Sequence, residues 1–599
     1  MEVKTGNKQL DSKIQEWLNW DKNEKTCDKV KQLLKDKNVL SLEKLFSTRL
    51  TFGTAGLRGV MGPGYAAMND LVIIQTSQGL AKYLESVDPK AKEQGVVIGY
   101  DGRHNSHRFA QLSSLAFLQL DIPVYLFSSI TPTPFIPFTV LQLKCSCGIM
   151  VTASHNPKDD NGYKIYWNNG VQIISPHDKG IQTSIEENLC PWPSAWDILL
   201  VEKSTLCKDP LYEIEEKYYT FLKQKIVDIN INSNCPLTFT YTAMHGVSHK
   251  FMTRAFEECG FKHYVPVKEQ MDPDPDFPTV KFPNPEEGKS ALDLSIQTAN
   301  SSNSTVILAN DPDADRLAVA EKNNGEWKVF TGNEIGALLG AWLWYAFEEK
   351  KTNIPASDVY MISSTVSSKI LKAIASKKGF NFVETLTGFK WMANKACELM
   401  ANGKTVLFAF EEAIGFMCGT TVLDKDGVGA AMAIAQLCAH LNARGLTLSN
   451  ELENIYKQYG YHVSNNSYYI CHDQLVINAM FDRLRNFNGP DSYPTNLQQY
   501  KIQGIRDLTT GYDNTQPDNK AILPTSKSSH MITFYFTNGC VATLRTSGTE
   551  PKIKYYTELC AEPSRSDWEE LKEDLGKLVT LMVEEWMQPE KNNLIPRSD

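Results

Sequence analysis

The chain has 599 residues, of which 42% are hydrophobic and 22% charged, and its formal net charge is −9. This length predicts about three to five domains, and the acidic balance argues against nucleic acid as a partner, because binding nucleic acid needs a cationic face. No apolar run approaches the roughly 18 residues of a membrane span, and no apolar segment near the start resembles a secretory signal, so we expect a cytoplasmic protein without a membrane partner.

Thirteen cysteines are spread along the chain. They form no CxxC pair and no metal-binding spacing, which in a long chain indicates reduced thiols rather than a disulfide framework. We also expect the chain to act as a monomer.

Residues 1–48 are predicted to form a helical appendage on the first domain. Ile14, Trp17 and Leu18 give one apolar stripe at helical spacing, and a second stripe begins at Val30 after a polar separator. Such stripes usually pack against a core, so we assign this segment no catalytic part.

The first α/β unit, residues 49–208, opens with a glycine-rich loop, 52–59, that carries the cation Arg58. Backbone N–H groups of such a loop can approach an oxyanion, and Arg58 adds charged donors, although a plain turn is the commoner meaning of the pattern. The strand predicted at 96–100 and the helix at 106–120, followed by another strand, favour a mainly parallel sheet covered by helices.

A serine then follows a short apolar run. Residues 147–151 predict the end of a buried strand, and Ser154, His155 and Pro157 come next in a sequence that favours a tight, exposed loop. These residues alone leave two interpretations open. The commoner is a turn serine that bonds to its own backbone, and the other is a nucleophile assisted by His155.

The second α/β unit, residues 209–331, contains a long irregular loop, 269–285, and then three aspartates at alternate positions after a strand at 306–309. Carboxylates this close together favour a bound cation, and oxygen ligands without histidine or cysteine suit Mg²⁺ or Mn²⁺. A solvated acidic turn is the alternative. The three aspartates are Asp311, Asp313 and Asp315.

The third α/β unit, residues 332–454, carries two polar features. A lysine, Lys390, lies in a predicted loop, where it would ordinarily be a surface residue. Two adjacent acids, Glu411 and Glu412, follow a predicted strand and could accept hydrogen bonds from sugar hydroxyls, or they could form a solvated turn.

The last unit, residues 455–599, changes to short antiparallel strands and is predicted to be α+β. One strand ends in a loop that places a guanidinium, two hydroxyls and free backbone N–H groups together, which suits a phosphate dianion. A bare turn is the alternative. The loop residues are Arg545, Ser547, Gly548 and Thr549.

Five strings resemble, in order, the functional loops of the α-D-phosphohexomutase superfamily. They are FGTAGLRG, TASHNPKDDNGYK, DPDADR, FEEAIG and RTSGTEP. The likeness runs from about residue 50 to residue 560 and is greatest to the eukaryotic branch that contains phosphopentomutases. It implies an α/β four-domain fold, with three similar α/β domains of mixed sheets and a C-terminal α+β domain around a central cleft.

The resemblance also implies a chemistry. A phosphate carried on Ser154 would pass to and from a sugar through a bisphosphorylated intermediate, and a sugar bisphosphate would prime the enzyme. One Mg²⁺ would be held by three aspartates together with the serine group. The implied catalytic residues are Ser154, His155, Lys390 and Arg58, the implied metal ligands are Ser154, Asp311, Asp313 and Asp315, and the implied contacts to the phosphosugar are Lys164, Arg316, Glu411, Glu412, Arg545, Ser547, Gly548 and Thr549.

Two positions of the sugar-binding string depart from the family pattern: Phe410 stands where glycine is usual, and Ala413 where serine is usual. The lost hydroxyl removes a hydrogen bond to the sugar, which weakens strict hexose specificity. The expected reaction is therefore the interconversion of ribose or deoxyribose 1-phosphate and 5-phosphate, with some activity on glucose phosphates.

Two other functions stay open. The first is a glucose 1,6-bisphosphate synthase that uses 1,3-bisphosphoglycerate. Such an enzyme would use the same catalytic residues as the mutase. The second is a phosphosugar-binding protein without activity, which predicts damage at Ser154 or in the aspartate string, and both are intact.

Overall fold

The computed structural model describes residues 3–54, 56–286, 289–527, 529–547 and 551–597. Within these residues four β-sheets follow one another along the chain, each with its own helices. None of the described helices is long and apolar enough to cross a membrane.

Three helices precede the first sheet: α1 (Lys8–Trp20), α2 (Glu24–Lys35) and α3 (Val39–Phe46). The predicted apolar stripes lie on α1 and α2, where Ile14, Trp17 and Val30 are buried in a core shared with the first sheet. The second helix begins inside the stretch predicted to be a polar separator, because the Asn23 side chain caps it by accepting a hydrogen bond from a first-turn N–H.

The first sheet has six strands. They are β1 (Leu57–Val60), β2 (Val96–Tyr100), β3 (Val124–Leu126), β4 (Cys147–Val151), β5 (Asp160–Trp167) and β6 (Cys207–Lys208), and the helices are α4 (Asp70–Val87), α5 (Ala91–Gln94), α6 (Ser106–Leu118), α7 (Phe135–Leu143), α8 (His177–Glu187) and α9 (Leu199–Lys203). In the order β1-β5-β4-β2-β3-β6, strand β5 turns back antiparallel to β4, whereas β4, β2, β3 and β6 are parallel.

The second sheet has the order β11-β10-β9-β7-β8. Its strands are β7 (Phe239–Thr242), β8 (Val265–Pro266), β9 (Val306–Ala309), β10 (Ala318–Asn323) and β11 (Glu326–Val329), and its helices are α10 (Leu211–Gln224), α11 (Ile229–Ser233), α12 (Ser248–Glu258) and α13 (Lys289–Ser301). The predicted irregular loop lies between β8 and α13, with one 3₁₀ turn, Lys268–Gln270, at its start.

The third sheet has the order β13-β12-β14-β15. Its strands are β12 (Val359–Ser364), β13 (Asn381–Thr385), β14 (Thr405–Glu411) and β15 (Gly415–Cys418), and its helices are α14 (Gly332–Glu349), α15 (Ile370–Lys378), α16 (Phe389–Ala401), α17 (Gly427–Asn442) and α18 (Leu448–Tyr459).

The fourth sheet contains nine strands and is antiparallel in the described pairs. The strands are β16 (His462–Ser464), β17 (Ser467–Ile470), β18 (Asn496–Leu497), β19 (Tyr500–Asp507), β20 (Tyr512–Asp513), β21 (Met531–Phe536), β22 (Cys540–Thr546), β23 (Lys552–Cys560) and β24 (Ile595–Pro596), with helices α19 (Gln474–Arg485) and α20 (Trp568–Met582), the latter continued by a π turn, Val583–Met587.

The first three sheets share one local feature. In each of them a parallel strand turns back into an antiparallel neighbour, at β4–β5, β9–β10 and β14–β15. These three turns contain, respectively, the serine string TASHNPKDDNGYK, the aspartate string DPDADR and the sugar-binding string FEEAIG. The mixed sheets predicted from the sequence are thus confirmed, while the predicted domain boundaries stay predictions.

Candidate active site

The turn between β4 and β5 holds the candidate nucleophile, Ser154. Its backbone is left-handed, with φ 55°, and its N–H donates to Thr152 Oγ1 at 2.8 Å. This conformation is costly for a residue with a side chain, and such strain gathers at functional sites. The predicted exposure does not hold for Ser154, which is only 3% exposed, although Lys158 and Asp159 of the same loop are exposed. Asp311, in the turn after β9, and Arg103 contact the serine.

Arg103 holds the serine loop in shape. Its Nη2 donates to the carbonyl oxygens of Ser154 at 2.5 Å and Asn156 at 2.6 Å, and its Nη1 donates to those of Pro157 at 2.8 Å and Asp160 at 3.2 Å. The guanidinium is buried and pairs with Asp101 at 3.2 Å. One rigid donor fork therefore fixes four carbonyls of a strained loop.

The turn between β9 and β10 brings three buried carboxylates together. Ligand oxygens of Asp311, Asp313 and Asp315 lie within 4.8 Å of one another, around Ala314, which is left-handed at φ 59°. The Ser154 hydroxyl donates to Asp311 Oδ2 at 3.1 Å. The two strings that the sequence places 157 positions apart therefore meet in one site.

Two lysines balance part of this negative charge. Lys164 Nζ donates to Asp313 Oδ2 at 2.7 Å and to Asp315 Oδ2 at 3.0 Å, and Lys425 Nζ lies 3.2 Å from Asp315 Oδ2. Burial would raise the pKa of Asp315, but both lysines outweigh it and hold that pKa below its ordinary value. Burial, followed by the repulsion of Asp313 and Asp315, raises the pKa of Asp311 well above its ordinary value.

The remaining carboxylate oxygens fit a divalent cation. Asp313 Oδ1 and Asp315 Oδ1 are buried, and neither has a hydrogen-bond partner in the described part of the chain. Buried polar atoms are rarely left unpaired, and hard oxygen donors suit Mg²⁺. The lysines occupy the other oxygen of each carboxylate, so cation binding does not require them to leave.

Three further predicted residues surround the serine. His155 Nδ1 lies 3.3 Å from Ser154 Oγ, and Arg58 Nη1 donates to Asn156 Oδ1 at 3.3 Å. Burial, with Arg316 and Arg58 adding to it, lowers the pKa of His155 well below its ordinary value, so the imidazole is neutral. Arg316 pairs through Nη1 at 3.1 Å with Glu286, which directly follows the irregular loop of the second unit.

Lys390 does not lie in a loop, as the sequence predicts, but in the first turn of α16. Gly388, with φ 102°, precedes the helix and lets the chain enter it. Lys390 Nζ donates to Thr54 Oγ1 in the glycine-rich loop, which joins the third unit to the first. Burial lowers the pKa of Lys390.

The turn between β14 and β15 carries the two glutamates, both half-buried. Burial raises the pKa of Glu411 to about 7, with Lys425 opposing the shift, and Glu412 accepts from Ser367 Oγ at 3.2 Å. Phe410, one of the two departures from the family pattern, is fully buried against Gly336 of α14. That replacement therefore changes the core and not the polar face.

The phosphate string lies at the end of β22. Arg545 Nη1 donates to Thr387 Oγ1, a contact that brings the fourth unit to the segment before Lys390. Ser547 donates its N–H to the Lys552 carbonyl at 2.9 Å. The other two predicted residues of this string, Gly548 and Thr549, lie outside the described residues.

Sequence reasoning missed Arg103, Lys425 and Thr133. Thr133 Oγ1 donates to Asp313 Oδ2 at 2.6 Å, across two units. A signal existed for Arg103, since it follows β2, the parallel neighbour of β4, and the ends of parallel neighbours meet at one sheet edge. Lys425 gave no local signal, because only the tertiary fold places it beside Asp315.

Profiles of one family match most of the chain. Those described as phosphoglucomutase/phosphomannomutase, alpha/beta/alpha domains I, II and III match residues 49–190, 216–325 and 331–459. Among solved structures, the chain is similar in fold to the exocytosis-sensitive phosphoprotein pp63/parafusin, a phosphoglucomutase from Paramecium in its open form. The TM-score is 0.67 at 20% identity, covering 90% of this chain and 95% of that one.

Full-length relatives are much closer in sequence. The chain is 56% identical to phosphopentomutase of Homo sapiens, covering 98% of each chain. It is 52% identical to glucose 1,6-bisphosphate synthase of Homo sapiens, covering 99% of this chain and 97% of that one, and 40% identical to phosphoribomutase of Saccharomyces cerevisiae, covering 98% of each. The chain therefore belongs to the phosphoglucomutase/phosphomannomutase family within the α-D-phosphohexomutase superfamily, as its motifs predict.

Proposed function

We propose that this chain is a phosphosugar mutase that interconverts the 1-phosphate and 5-phosphate of ribose and deoxyribose, with some activity between glucose 1-phosphate and glucose 6-phosphate. The observation that carries the proposal is the Ser154 hydroxyl 3.1 Å from Asp311, inside a buried set of carboxylates and lysines. The likeness to phosphopentomutase and phosphoribomutase supports the choice of a pentose.

The reaction needs a phosphate store, because one phosphate cannot reach directly from one end of the sugar to the other. A phosphoryl group leaves Ser154 Oγ for the free sugar hydroxyl, so that the Ser–O–P bond breaks and a sugar–O–P bond forms. The resulting sugar bisphosphate turns over and returns its other phosphoryl group to Ser154. The same kind of bisphosphate would prime an enzyme whose serine is free.

Two residues could take the proton that the sugar hydroxyl loses. Burial lowers the pKa of Lys390, which favours the neutral amine that a base requires. His155 is also neutral, and its ring nitrogen lies 3.3 Å from Ser154 Oγ. Arg58, which contacts Asn156 of the serine loop, would support the charge of the transferring group.

Asp311, Asp313 and Asp315, together with the serine group, would hold Mg²⁺, which neutralises charge on a transferring phosphoryl group when bound. The buried, unpaired Oδ1 atoms of Asp313 and Asp315 support this assignment. Lys164 keeps both carboxylates oriented through their other oxygens.

Substrate recognition is assigned to the later units. Glu411 and Glu412 would accept hydrogen bonds from sugar hydroxyls, and Arg316 and Lys164 would contact the phosphosugar near the serine. The phosphate that does not react would be held by the string at the end of β22, which comprises Arg545, Ser547, Gly548 and Thr549.

A bisphosphate synthase is the second candidate, favoured by the 52% identity to glucose 1,6-bisphosphate synthase over nearly the whole chain. It would prime Ser154 from 1,3-bisphosphoglycerate and release the bisphosphate instead of retaining it. All residues named above would serve that reaction too, so product analysis must separate the two functions.

The test offers the purified protein, with Mg²⁺, ribose 1-phosphate, glucose 1-phosphate, or glucose 1-phosphate plus 1,3-bisphosphoglycerate. We expect ribose 5-phosphate to form fastest, and a dominant bisphosphate product would favour the synthase instead. Ser154→Ala should lower turnover by about 10,000-fold or more, as expected for loss of a nucleophile. Ser376→Ala, at an exposed serine of α15, is the matched control. Equal turnover by Ser154→Ala and the parent would refute the proposal.

A further inference from the structure

A mainly apolar cavity lies between the second and third units, apart from the candidate active site. It has a volume of about 220 Å³ and is bounded by α10, α14 and α17 together with β14 and β15. Its lining is mainly apolar and aromatic, and includes Phe221, Trp342, Leu343, Phe347, Leu407 and Met432. None of the residues assigned to phosphoryl transfer or to substrate contact is among its lining residues.

Two lysines, Lys225 and Lys350, line the cavity, and Lys225 lies at its mouth. Lys225, which follows α10, has an exposed side chain and forms no ion pair with any described residue. Its ammonium lies 5.1 Å from the centre of the Phe221 ring. A Cβ added to Gly419, another lining residue, would lie 2.7 Å from Lys225 Nζ. The ammonium therefore lies over the backbone at the end of β15, inside the mouth of the cavity.

The other charged groups of the lining already have partners. Lys350 Nζ donates to the Gln224 carbonyl at 3.1 Å, at the carboxyl end of α10. Asp426 accepts from the Tyr218 hydroxyl at 2.9 and 2.8 Å and from the Gly429 N–H at 2.9 Å. Both have structural roles at helix ends, whereas Lys225 Nζ has no hydrogen-bond or ion-pair partner among the described residues and is the better placed of the two lysines to bind a ligand.

We propose that this cavity binds a small amphiphilic carboxylate, with its aromatic or aliphatic body between Trp342 and Met432 and its carboxylate on Lys225. Ligand sites typically combine apolar walls with a few placed polar groups and often lie between domains. A charge-assisted hydrogen bond at the mouth would fix the orientation of the ligand. The cavity is below the range of roughly 300 to 1,000 Å³ typical of drug-sized ligands, which limits the ligand to a small molecule.

The walls of the cavity belong to elements that also carry the candidate active site. β14 ends at Glu411, and α17 begins two residues after Lys425, which pairs with Asp315. A molecule in the cavity would thus contact the elements that position these two residues. The proposal concerns binding at a separate site and does not depend on the proposed reaction.

The test is isothermal titration calorimetry of the full chain with 3-phenylpropionate and with 3-phenyl-1-propanol, which share the same body but differ in charge. Excess inorganic phosphate in the buffer occupies the cationic groups of the active site. The variants are Lys225→Met and Ala433→Phe, which adds volume to the cavity wall. The control is Lys223→Met in the last turn of α10, where the side chain pairs instead with Glu258.

We expect the parent to bind the carboxylate about tenfold more tightly than the alcohol, a difference that one charge-assisted contact supplies. Lys225→Met should abolish that preference, Lys223→Met should keep it, and Ala433→Phe should weaken both ligands. The proposal is overturned if the parent shows no saturable binding of 3-phenylpropionate, or if Lys225→Met binds it as tightly as the parent does. Because Lys225 is exposed, Lys225→Met is expected to fold. It therefore tests the proposal even if Ala433→Phe fails to fold.

Discussion

The serine and aspartate loops differ from the sugar and phosphate loops in how completely the protein itself ties their groups together. Ser154 bonds to Asp311, and Lys164 and Thr133 bond to Asp313, all across the boundary between the first two units and all buried. Glu411, Glu412 and Arg545 are only half-buried. Groups at the site of bond exchange are held by the protein, whereas groups that recognise the sugar are positioned to meet it.

The third and fourth units are joined beside these recognition loops. The carboxylate of Glu384 pairs with Lys369 of the same unit at 2.7 Å and with Arg506 of the fourth unit at 3.5 Å. Arg506 also donates a hydrogen bond to Thr365 of the third unit. The two contacts of Arg506 join the fourth unit to the third independently of Arg545, whose own contact is with Thr387. Each variant below tests one side of the contrast between the serine and aspartate loops and the recognition loops.

The largest effect is expected at Asp313. Asp313→Asn removes a charge from the carboxylate cluster and a partner of Lys164, so we expect Mg²⁺ affinity to fall by at least about 100-fold and turnover with it. Binding of Mn²⁺, followed by electron paramagnetic resonance, measures the affinity independently of activity. Asp272→Asn, at an exposed acid of the irregular loop, should change neither. An unaltered affinity in Asp313→Asn would show that the cation binds elsewhere.

A smaller loss is expected when the serine loop keeps its residues but loses its support. Arg103→Lys retains a cation beside Asp101 but cannot reach four carbonyls, and a shift of the nucleophile by about 1 Å can cost about 100-fold in kcat. We expect kcat to fall by about that factor with little change in KM, since Arg103 touches the loop and not the substrate-binding residues.

A positioning role for Arg103 also predicts a change in partitioning. A loosened loop should expose the phosphoserine to water, so the ratio of hydrolysis to transfer should rise, which a general loss of stability would not produce. Arg108→Lys, in α6 and paired with Asp70 at 2.7 Å, provides the control. If Arg103→Lys and the parent show the same ratio of hydrolysis to transfer, the serine loop does not depend on the Arg103 guanidinium for its shape.

Arg545→Met tests the recognition side of the contrast and should act mainly on KM. Loss of a charged donor to the distant phosphate should raise KM by about tenfold or more and lower kcat less, because that phosphate does not react. Steady-state kinetics with ribose 1-phosphate measure both. Arg565→Met, an exposed arginine of the same unit paired with Asp567, is the control. A fall in kcat without a change in KM would instead mean that Arg545 acts on the phosphoryl group being transferred.

Local signals explain what the sequence could predict. The strands Val96–Tyr100 and Val306–Ala309 have the same bounds in the prediction and in the structure, because short apolar runs end at turn-forming residues. Four of the five candidate strings, all but the glycine-rich loop, were also expected at a strand end. What a strand end meets depends on other units, so neither the burial of Ser154 nor the pairing of Lys425 with Asp315 could be predicted.

The sequence also does not predict the backbone conformation of the three turns that carry the candidate site. Ser154, Ala314 and Ile414 are left-handed in the three β-turn-β connections, with φ of 55°, 59° and 52°. None of these residue types favours that region, so the sequence gives no hint of it. Tertiary contacts, such as those that Arg103 makes with the serine loop, hold the backbone in this conformation and offset its energetic cost. Lys390 is predicted in a loop but lies in the first turn of α16, because Gly388, a residue type common in turns, here stands directly before a helix.

The smallest predicted effect concerns Glu411 and the stability of the fold. Burial raises the pKa of this carboxyl from 4.5 to about 7, so between these values the folded chain holds a proton that the unfolded chain has released. Stability from this group is therefore lost as the pH rises through that window. Glu411→Gln abolishes the titration, and its melting temperature relative to the parent should rise by about 1 °C between about pH 5 and about pH 8. Scanning fluorimetry measures the difference, and Glu398→Gln, an exposed acid on α16, should show no such trend. A pH-independent difference for Glu411→Gln would mean that Lys425 compensates Glu411 as fully as it does Asp315, and the contrast between the two halves of the site would then fail at this residue.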